Sequence, residues 1–518
     1  MKQVKIEQLT KAFQWVAYSA IALGILVRLR LYFSNRSLWF DEVNLALNLV
    51  ERSYQELLQP LDYNQAAPPG FLWIEKFAIQ VFGNNEYALR LFPLISGIIA
   101  IFLFYKLAYD YASNKLVAPI AIALFCCLRY TVYYSVELKQ YSSDLMFALL
   151  LFLILSPLRN QHLSKRTILL VSLLGAICIW FSHPSIFVLA AVELITFITT
   201  PIKNWHRIIT NRFPIYLTWL ISFAFLYLLT IVPTLSNQEL VSSWGARYPD
   251  SVFDILWGLD ALGRFFYRPL GFFGFRDGIA IFAFLIGCVA CYRQTPIKLL
   301  QLNAPLLITL MAAYLQKYPF RERLILFLVP FATLIIAEGI GYLIGQFQNY
   351  RRLHKLLGTL GVTTLLILLM PFLFRSTQQA IAPQMAYFEE ARPIIKYVKE
   401  HHQPNDSIYV YAKGETHFKY YAQRYNIPSQ HYLIGTIPIL NEEEQASQKR
   451  WEMIKTELKQ LDNQQRLWII LIKFHDHEKE FLVSHLNDIG QPMQCLEKPG
   501  AYTCLYNFQQ EKKTSQLP

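Results

Sequence analysis

Ser37-Leu38-Trp39-Phe40-Asp41-Glu42 stands immediately beyond a hydrophobic stretch that runs from about Phe13 to Phe33. Two adjacent carboxylates where a chain leaves an apolar span need water, a partner or a chemical task, because lipid solvates neither of them. Trp39 and Phe40 suit the interfacial belt, which puts Asp41 and Glu42 at headgroup level. The next residues, Val43-Asn44-Leu45-Ala46-Leu47-Asn48-Leu49-Val50, have helical spacing and are expected to form an amphipathic helix lying along the surface. A structural role is also open to the acidic pair, with Asp41 as a helix N-cap and Glu42 complementing the helix dipole. The rest of the chain weighs against that role alone.

The 518 residues are 54% hydrophobic, 15% aromatic and only 16% charged. Globular enzymes run nearer a quarter charged, so the balance excludes an ordinary soluble enzyme. Repeated apolar runs of spanning length and a mean hydropathy of +0.28 indicate a polytopic membrane protein. The net charge of +12 does not point to nucleic acid, because the basic residues fall in short clusters between apolar runs. That placement is a topology signal. The N-terminus has Lys2, Lys5 and Lys11 but no small-residue cleavage site after its apolar stretch, so an uncleaved first span is expected. Lys2, Lys5 and Lys11 put the N-terminus in the cytoplasm and Asp41 and Glu42 outside. Arg28 and Arg30, at the far end of this span, are expected to snorkel toward the interface.

Ala67-Pro68-Pro69-Gly70 starts a short helix from Phe71 to about Phe82, where proline costs no hydrogen bond. It contains Glu75-Lys76 and is placed in the interface. Glu86-Tyr87-Ala88-Leu89-Arg90-Leu91-Phe92-Pro93 opens the next span. An outer turn holds Glu137-Leu138-Lys139-Gln140-Tyr141 before a span to about Leu158, and His183 sits at another outer turn in Ser182-His183-Pro184. A long outer loop from Thr234 to about Phe275 carries Trp244, Tyr248, Phe253 and Trp257, which suit interfacial anchoring. Lys317-Tyr318-Pro319-Phe320-Arg321-Glu322-Arg323 puts three cations on the outer side against the charge rule, which suggests an anionic ligand there or a loop paired through Glu322. The count comes to about eleven spans. Five cysteines, Cys126, Cys127, Cys178, Cys288 and Cys291, fall in apolar runs and read as small buried hydrophobes.

After Arg375 the composition becomes that of a soluble α/β domain, expected outside the cytoplasm. Ser407–Tyr411 and Leu467–Ile472 read as strands, with helices at about 389–401, 416–425, 451–461 and 478–489. No dinucleotide fingerprint or P-loop is present. A hairpin from Gln494 to Phe508, turning at Pro499-Gly500, sets Cys495 opposite Cys504. The sequence leaves open whether the two are bridged, since Pro-Gly favours type II turns that fit tight hairpins poorly. The domain division is thus 1–375, a membrane domain whose outer loop 34–86 carries the acidic pair, and 376–518.

Trp39-Phe40-Asp41-Glu42, then Ala67-Pro68-Pro69-Gly70, then Glu86-x-x-Ala88-Leu89-Arg90-Leu91-Phe92-Pro93 together resemble the polyprenyl-phosphate-sugar glycosyltransferases of the GT-C fold. The likeness is to the prokaryotic relatives of the dolichyl-phosphate-mannose protein mannosyltransferases, a group that includes the lipid A aminoarabinose transferases. Glu137-Leu138-Lys139-Gln140-Tyr141-Ser142-Ser143-Asp144 is similar to a further block of that group, and the resemblance weakens beyond about residue 150. Where some relatives carry Lys or His just before the Pro-Pro, this chain has Gln65-Ala66-Ala67. The resemblance implies transfer of a sugar from a polyprenyl-phosphate carrier to a lipid, glycan or protein acceptor at the outer face of the plasma membrane. Asp41 is then the general base, with Glu42 orienting it, binding the acceptor or supporting a cation. Arg90, Lys139, Arg321 and Arg323 are candidates for the lipid phosphate, and Glu137 and Tyr141 join them as substrate-binding candidates; His183 reads as a satisfied structural histidine, with substrate binding as the alternative. The sequence requires no cofactor and leaves a divalent cation open. Nucleic acid is not an expected partner. A flippase or transporter of a lipid-linked substrate, or a non-catalytic membrane assembly protein, is the alternative; paired repeats with midplane polar sites, which transporters use, are not seen.

Overall fold

The computed structural model describes residues 2–239, 242, 248–348, 352–382, 389–437, 444–459 and 466–508. Trp244 of the outer loop lies outside the described residues. The chain divides into two compact units, one of residues 1–34, 52–83 and 87–383, the other of residues 35–51, 84–86 and 384–518. Asn35–Glu51, with the acidic pair, therefore clusters with the C-terminal residues, where the sequence boundaries group 34–86 with the spans.

The first unit is helical, making this a multi-pass membrane protein. It begins with α1 (Lys2–Phe33) and continues, after α2 (Phe40–Glu51) of the other unit, with α3 (Pro69–Phe82). Next come α4 (Glu86–Tyr111), α5 (Val117–Cys127), α6 (Arg129–Tyr133), α7 (Tyr141–Leu155), α8 (Lys165–Phe181) and α9 (Ser185–Thr199). Eight helical stretches among the described residues are long and apolar enough to cross a membrane, and α5 with α6, extended to Val136 and bent by 55°, makes a ninth. The expected eleven are reached only by adding α8 and α9, which have 17 and 15 residues. Pro69 occupies the first turn of α3, and a Cβ on Gly70 would stand 2.7 Å from the Phe181 ring, so the Pro-Gly pair both starts the helix and lets it approach α8. The helices Arg276–Gln294 and Val329–Gly345 cross where Gly287 and Gly339 meet carbonyls of the opposite helix. That close backbone approach holds helices together where hydrophobic burial supplies no drive.

Arg28 does not snorkel. It is buried and donates to the carbonyls of Gly24 and Cys126 at 2.9 and 3.1 Å, and to the Thr131 hydroxyl at 3.4 Å. The break between α5 and α6 frees the Cys126 carbonyl from its helix, and the guanidinium supplies the missing donor. The exposed apolar side chains Phe253, Ile255, Leu256 and Leu259 gather at the start of the helix Ile255–Tyr267, in keeping with an anchoring role for that loop.

The second unit is built on a five-stranded sheet, order β2-β1-β3-β5-β4, with β1 Asp406–Val410, β2 Tyr432–Ile434, β3 Arg466–Ile472, β4 Gln491–Lys498 and β5 Ala501–Asn507. β1 runs parallel to β2 and β3; β5 runs antiparallel to β3 and β4. Its helices are Ala391–His401, Glu415–Arg424, Glu444–Lys459 and Asp476–Asn487. β4 and β5 form the expected hairpin with Cys495 opposite Cys504, and the two are joined by a disulfide.

α2 differs from the surface helix expected. Every residue from Glu42 to Leu49 is buried, and the helix packs on Glu415–Arg424. Of its polar side chains, Asn48 donates its amide to the Asn44 backbone carbonyl at 2.8 Å, within the helix itself.

Candidate active site

In the second unit the acidic pair is placed by the start of α2. The Trp39 carbonyl accepts the first helical bonds from Glu42 and Val43, each at 2.9 Å, which puts Trp39 at the N-cap. Glu42, three residues on, accepts the Trp39 amide at 3.3 Å as the acidic half of a capping box, and Arg36 lies 3.2 Å from the same oxygen. Glu42 is buried, so this carboxylate is engaged in building the helix start. Asp41 is only partly buried and stands in the first turn, where the helix field favours an anion.

The segment before α2 is tied to the C-terminal residues of its unit. Ser37 donates to Glu390 at 2.8 Å and accepts the Arg392 amide at 3.2 Å. The Leu38 amide donates to the Tyr421 hydroxyl at 3.0 Å, and that hydroxyl donates to Glu86 at 2.9 Å. Arg424 and Arg392 close on Glu86 at 2.7 and 3.2 Å. The Phe40 amide donates to Glu389 Oε2 at 2.6 Å, and His417 Nε2 lies 2.8 Å from that oxygen. Lys473 sits over the Phe40 ring. Burial pulls the Lys473 ammonium below its usual range, against the opposing charges of Glu389 and Asp41. None of Glu389, His417 and Lys473 was singled out by sequence motif.

The helical unit holds a separate group. Tyr141, at the start of α7, carries Arg323 over its ring at 5.5 Å and meets the Tyr134 ring edge-on at 5.0 Å. The Tyr133 hydroxyl donates to buried Glu137 at 3.3 Å, and Arg323, Glu137 and Tyr141 are all electrostatic neighbours of Tyr134. Lys139 is buried with its Nζ 2.5 Å from Gln65 Oε1. Gln65 thus meets a lysine from the turn before α7. Tyr318 donates to the Leu324 carbonyl at 2.8 Å and has Asp144 and Tyr141 as neighbours; burial holds its phenol well above the usual range. Tyr141, Glu137 and Arg323 are thereby linked, with Tyr134, Tyr318 and Asp144 as members the sequence had not singled out as site residues, while the Lys139 side chain bonds to Gln65.

Three expected residues have other surroundings. Arg90 is buried on α4 with Tyr32 as an electrostatic neighbour. Arg321 lies 3.7 Å from Glu322, which also faces Arg268 at 4.0 Å, and lines a recess of about 110 Å³ with Arg264, Arg268 and Phe320. His183 lies at its turn with Nε2 buried, and burial lowers its imidazole to about 4, which leaves it neutral near pH 7. Its chain neighbour Ser182 adjoins Asp144. Among the described residues no group of three or more His, Cys, Asp or Glu side chains could hold a metal ion.

The architecture is a membrane fold of the GT-C type. Residues 66–231 match the family model of the dolichyl-phosphate-mannose-protein mannosyltransferases, so this part of the chain is similar to that family. The matched range includes Arg90, Glu137, Lys139, Tyr141 and His183; Asp41 and Arg323 lie outside it. The structure is similar to ArnT from Cupriavidus metallidurans bound to undecaprenyl phosphate, with TM-score 0.50 and 12% identity over 94% of this chain and 97% of that one. The apo state of that protein matches at TM-score 0.50 and 12% identity over 94% and 98%. An oligosaccharyltransferase from Archaeoglobus fulgidus, in complex with Zn and sulfate, matches at TM-score 0.50 and 10% identity, covering 87% of this chain and 67% of that one. No curated protein sequence matches.

Proposed function

We propose that the chain moves a sugar from a polyprenyl-phosphate carrier to an acceptor at the outer face of the plasma membrane, its N-terminus cytoplasmic, with Asp41 as general base. Asp41 takes the proton from an acceptor hydroxyl or amine as that group attacks the anomeric carbon. The bond from that carbon to the phosphate oxygen breaks, and the polyprenyl phosphate leaves with both electrons. Lys139 and Arg323 offer positive charge to the leaving phosphate, the one on an outer turn and the other over Tyr141. Glu42, held by Arg36 and the Trp39 amide, fixes the helix that carries Asp41. No cofactor has a part in this reading.

The observation that carries it is the family match over 66–231, because that range contains Lys139 and also Tyr141, over whose ring Arg323 lies. The experiment is a transfer assay in liposomes, with radiolabelled undecaprenyl- or dolichyl-phosphate sugars and membrane extract as acceptor pool. Label should pass from lipid to acceptor with the wild type and not with a folded Asp41→Asn variant. Transfer by Asp41→Asn at the wild-type rate would remove Asp41 as the base. Label that changes leaflet but stays on the lipid would make the protein a transporter.

A further inference from the structure

Lys473 follows directly on β3, and its backbone is left-handed at φ +59°, a conformation uncommon outside glycine. Its amide donates to the Gly500 carbonyl at 3.0 Å, which fixes it against the β4–β5 hairpin turn. The same turn anchors the opposite segment, since the Glu390 amide donates to the Pro499 carbonyl at 3.0 Å. From this seat the ammonium reaches the face of Phe40, the residue before Asp41. Glu389 meanwhile holds the Phe40 amide at 2.6 Å. One side chain thus fixes the backbone of the first turn of α2, and another puts a positive charge beside it.

We infer that Lys473 is a positioning residue for Asp41, so that the C-terminal α/β unit helps to build the reaction centre. This rests on the reading of Asp41 as the general base. The charged groups about Lys473 are Asp41 on α2, Glu389 before the helix Ala391–His401, and Lys413, which is itself paired with Glu478 at 2.5 Å. His417 is the further titratable group at this turn, against Glu389. A cation over the Phe40 ring, one residue from Asp41, favours the ionised form of that carboxylate. A base must be both ionised and aimed, so removing the cation affects turnover before it affects binding of the lipid donor.

The test compares Lys473→Met and Lys473→Arg with the wild type in the transfer assay, as kcat and donor KM across pH, with thermal melts to establish folding. Folded Lys473→Met should lower kcat about tenfold with donor KM within about twofold, and should move the acid limb of the pH profile upward by about half a unit or more. Lys473→Arg should recover most of kcat. An unchanged kcat and acid limb in folded Lys473→Met would overturn the inference. A raised donor KM at unchanged kcat would overturn it too, by assigning Lys473 to the donor phosphate. If Asp41→Asn is inactive while Lys473→Met behaves as wild type, only this inference falls; if Asp41→Asn is active, the reading beneath it falls.

Discussion

The Nζ of Lys139 lies 2.5 Å from Oε1 of Gln65, and both side chains are buried. The bond ties the turn before α7 to the loop before α3, two segments that sequence alone presents as separate blocks. A hydrogen bond to a charged group contributes about 1.5–3 kcal/mol. Gln65→Leu keeps the bulk and deletes the acceptor, so it should destabilise the helical unit by about that amount. Thermal melts in detergent check this; an unchanged melting temperature would mean that water replaces the amide at no cost.

Arg36 and Glu42 give a larger expected effect. Both are almost fully buried, and the carboxylate is shared with the Trp39 amide. Removing the cation from a buried ion pair costs about 3–5 kcal/mol, because the remaining charge has lost its solvation and its counterion together. Arg36→Met should therefore loosen the start of α2 and reduce transfer. Restoring a smaller deficit by the double change Arg36→Met with Glu42→Gln would identify the penalty as electrostatic. Equal stability of the single and double variants would assign it to packing.

Acid should weaken the sheet unit. Burial pushes the Asp406 carboxyl up, but bonds from Arg466, the Gln403 amide and Trp468 outweigh it and leave it below its usual value. Glu478 likewise is raised by burial and brought below its usual value by Lys413, the His475 amide and Tyr411. A carboxyl depressed in the folded state stabilises above its unfolded pKa, and that stability is lost as pH falls through the folded value. The melting temperature should thus hold near neutrality and drop below about pH 4. Asp406→Asn and Glu478→Gln should flatten that drop. A profile identical to wild type in both variants would show that other groups control the acid limb.

The sequence makes the local elements legible and leaves most of the convergence hidden. Proline at the start of α3 and the register that sets Cys495 opposite Cys504 are readable within a few residues, whereas the disulfide between the two is left open by the turn chemistry. The engagement of Glu42 is not readable, because Trp39 cannot supply the side-chain half of a capping box and so leaves no signature. Arg28 looks free to snorkel until the bend after α5 exposes the Cys126 carbonyl 98 residues away. Glu389 opens a stretch that reads only as a helix and Lys473 follows one that reads only as a strand, neither within a motif, and the bond from Phe40 to Glu389 spans 349 residues of chain. Such contacts are products of topology, and one sequence carries no local record of them.

Arg323 meets Tyr141, a residue of the range 66–231 that matches the family model. The guanidinium lies over the ring at 5.5 Å, a cation–π arrangement that fixes its plane. Arginine suits this place better than lysine, since a planar guanidinium can stack and still present a fork of donors to a phosphate. Arg323→Lys keeps the charge and gives up the fork and the stacking, whereas Arg323→Gln gives up the charge. Donor KM should rise severalfold in Arg323→Lys and by more than about tenfold in Arg323→Gln, with Tyr141→Leu resembling the lysine variant. Titrating donor concentration in the liposome assay reads all three. Unaltered donor KM in Arg323→Gln would leave this cation a loop-building role only, with Lys139 as the phosphate contact to test next.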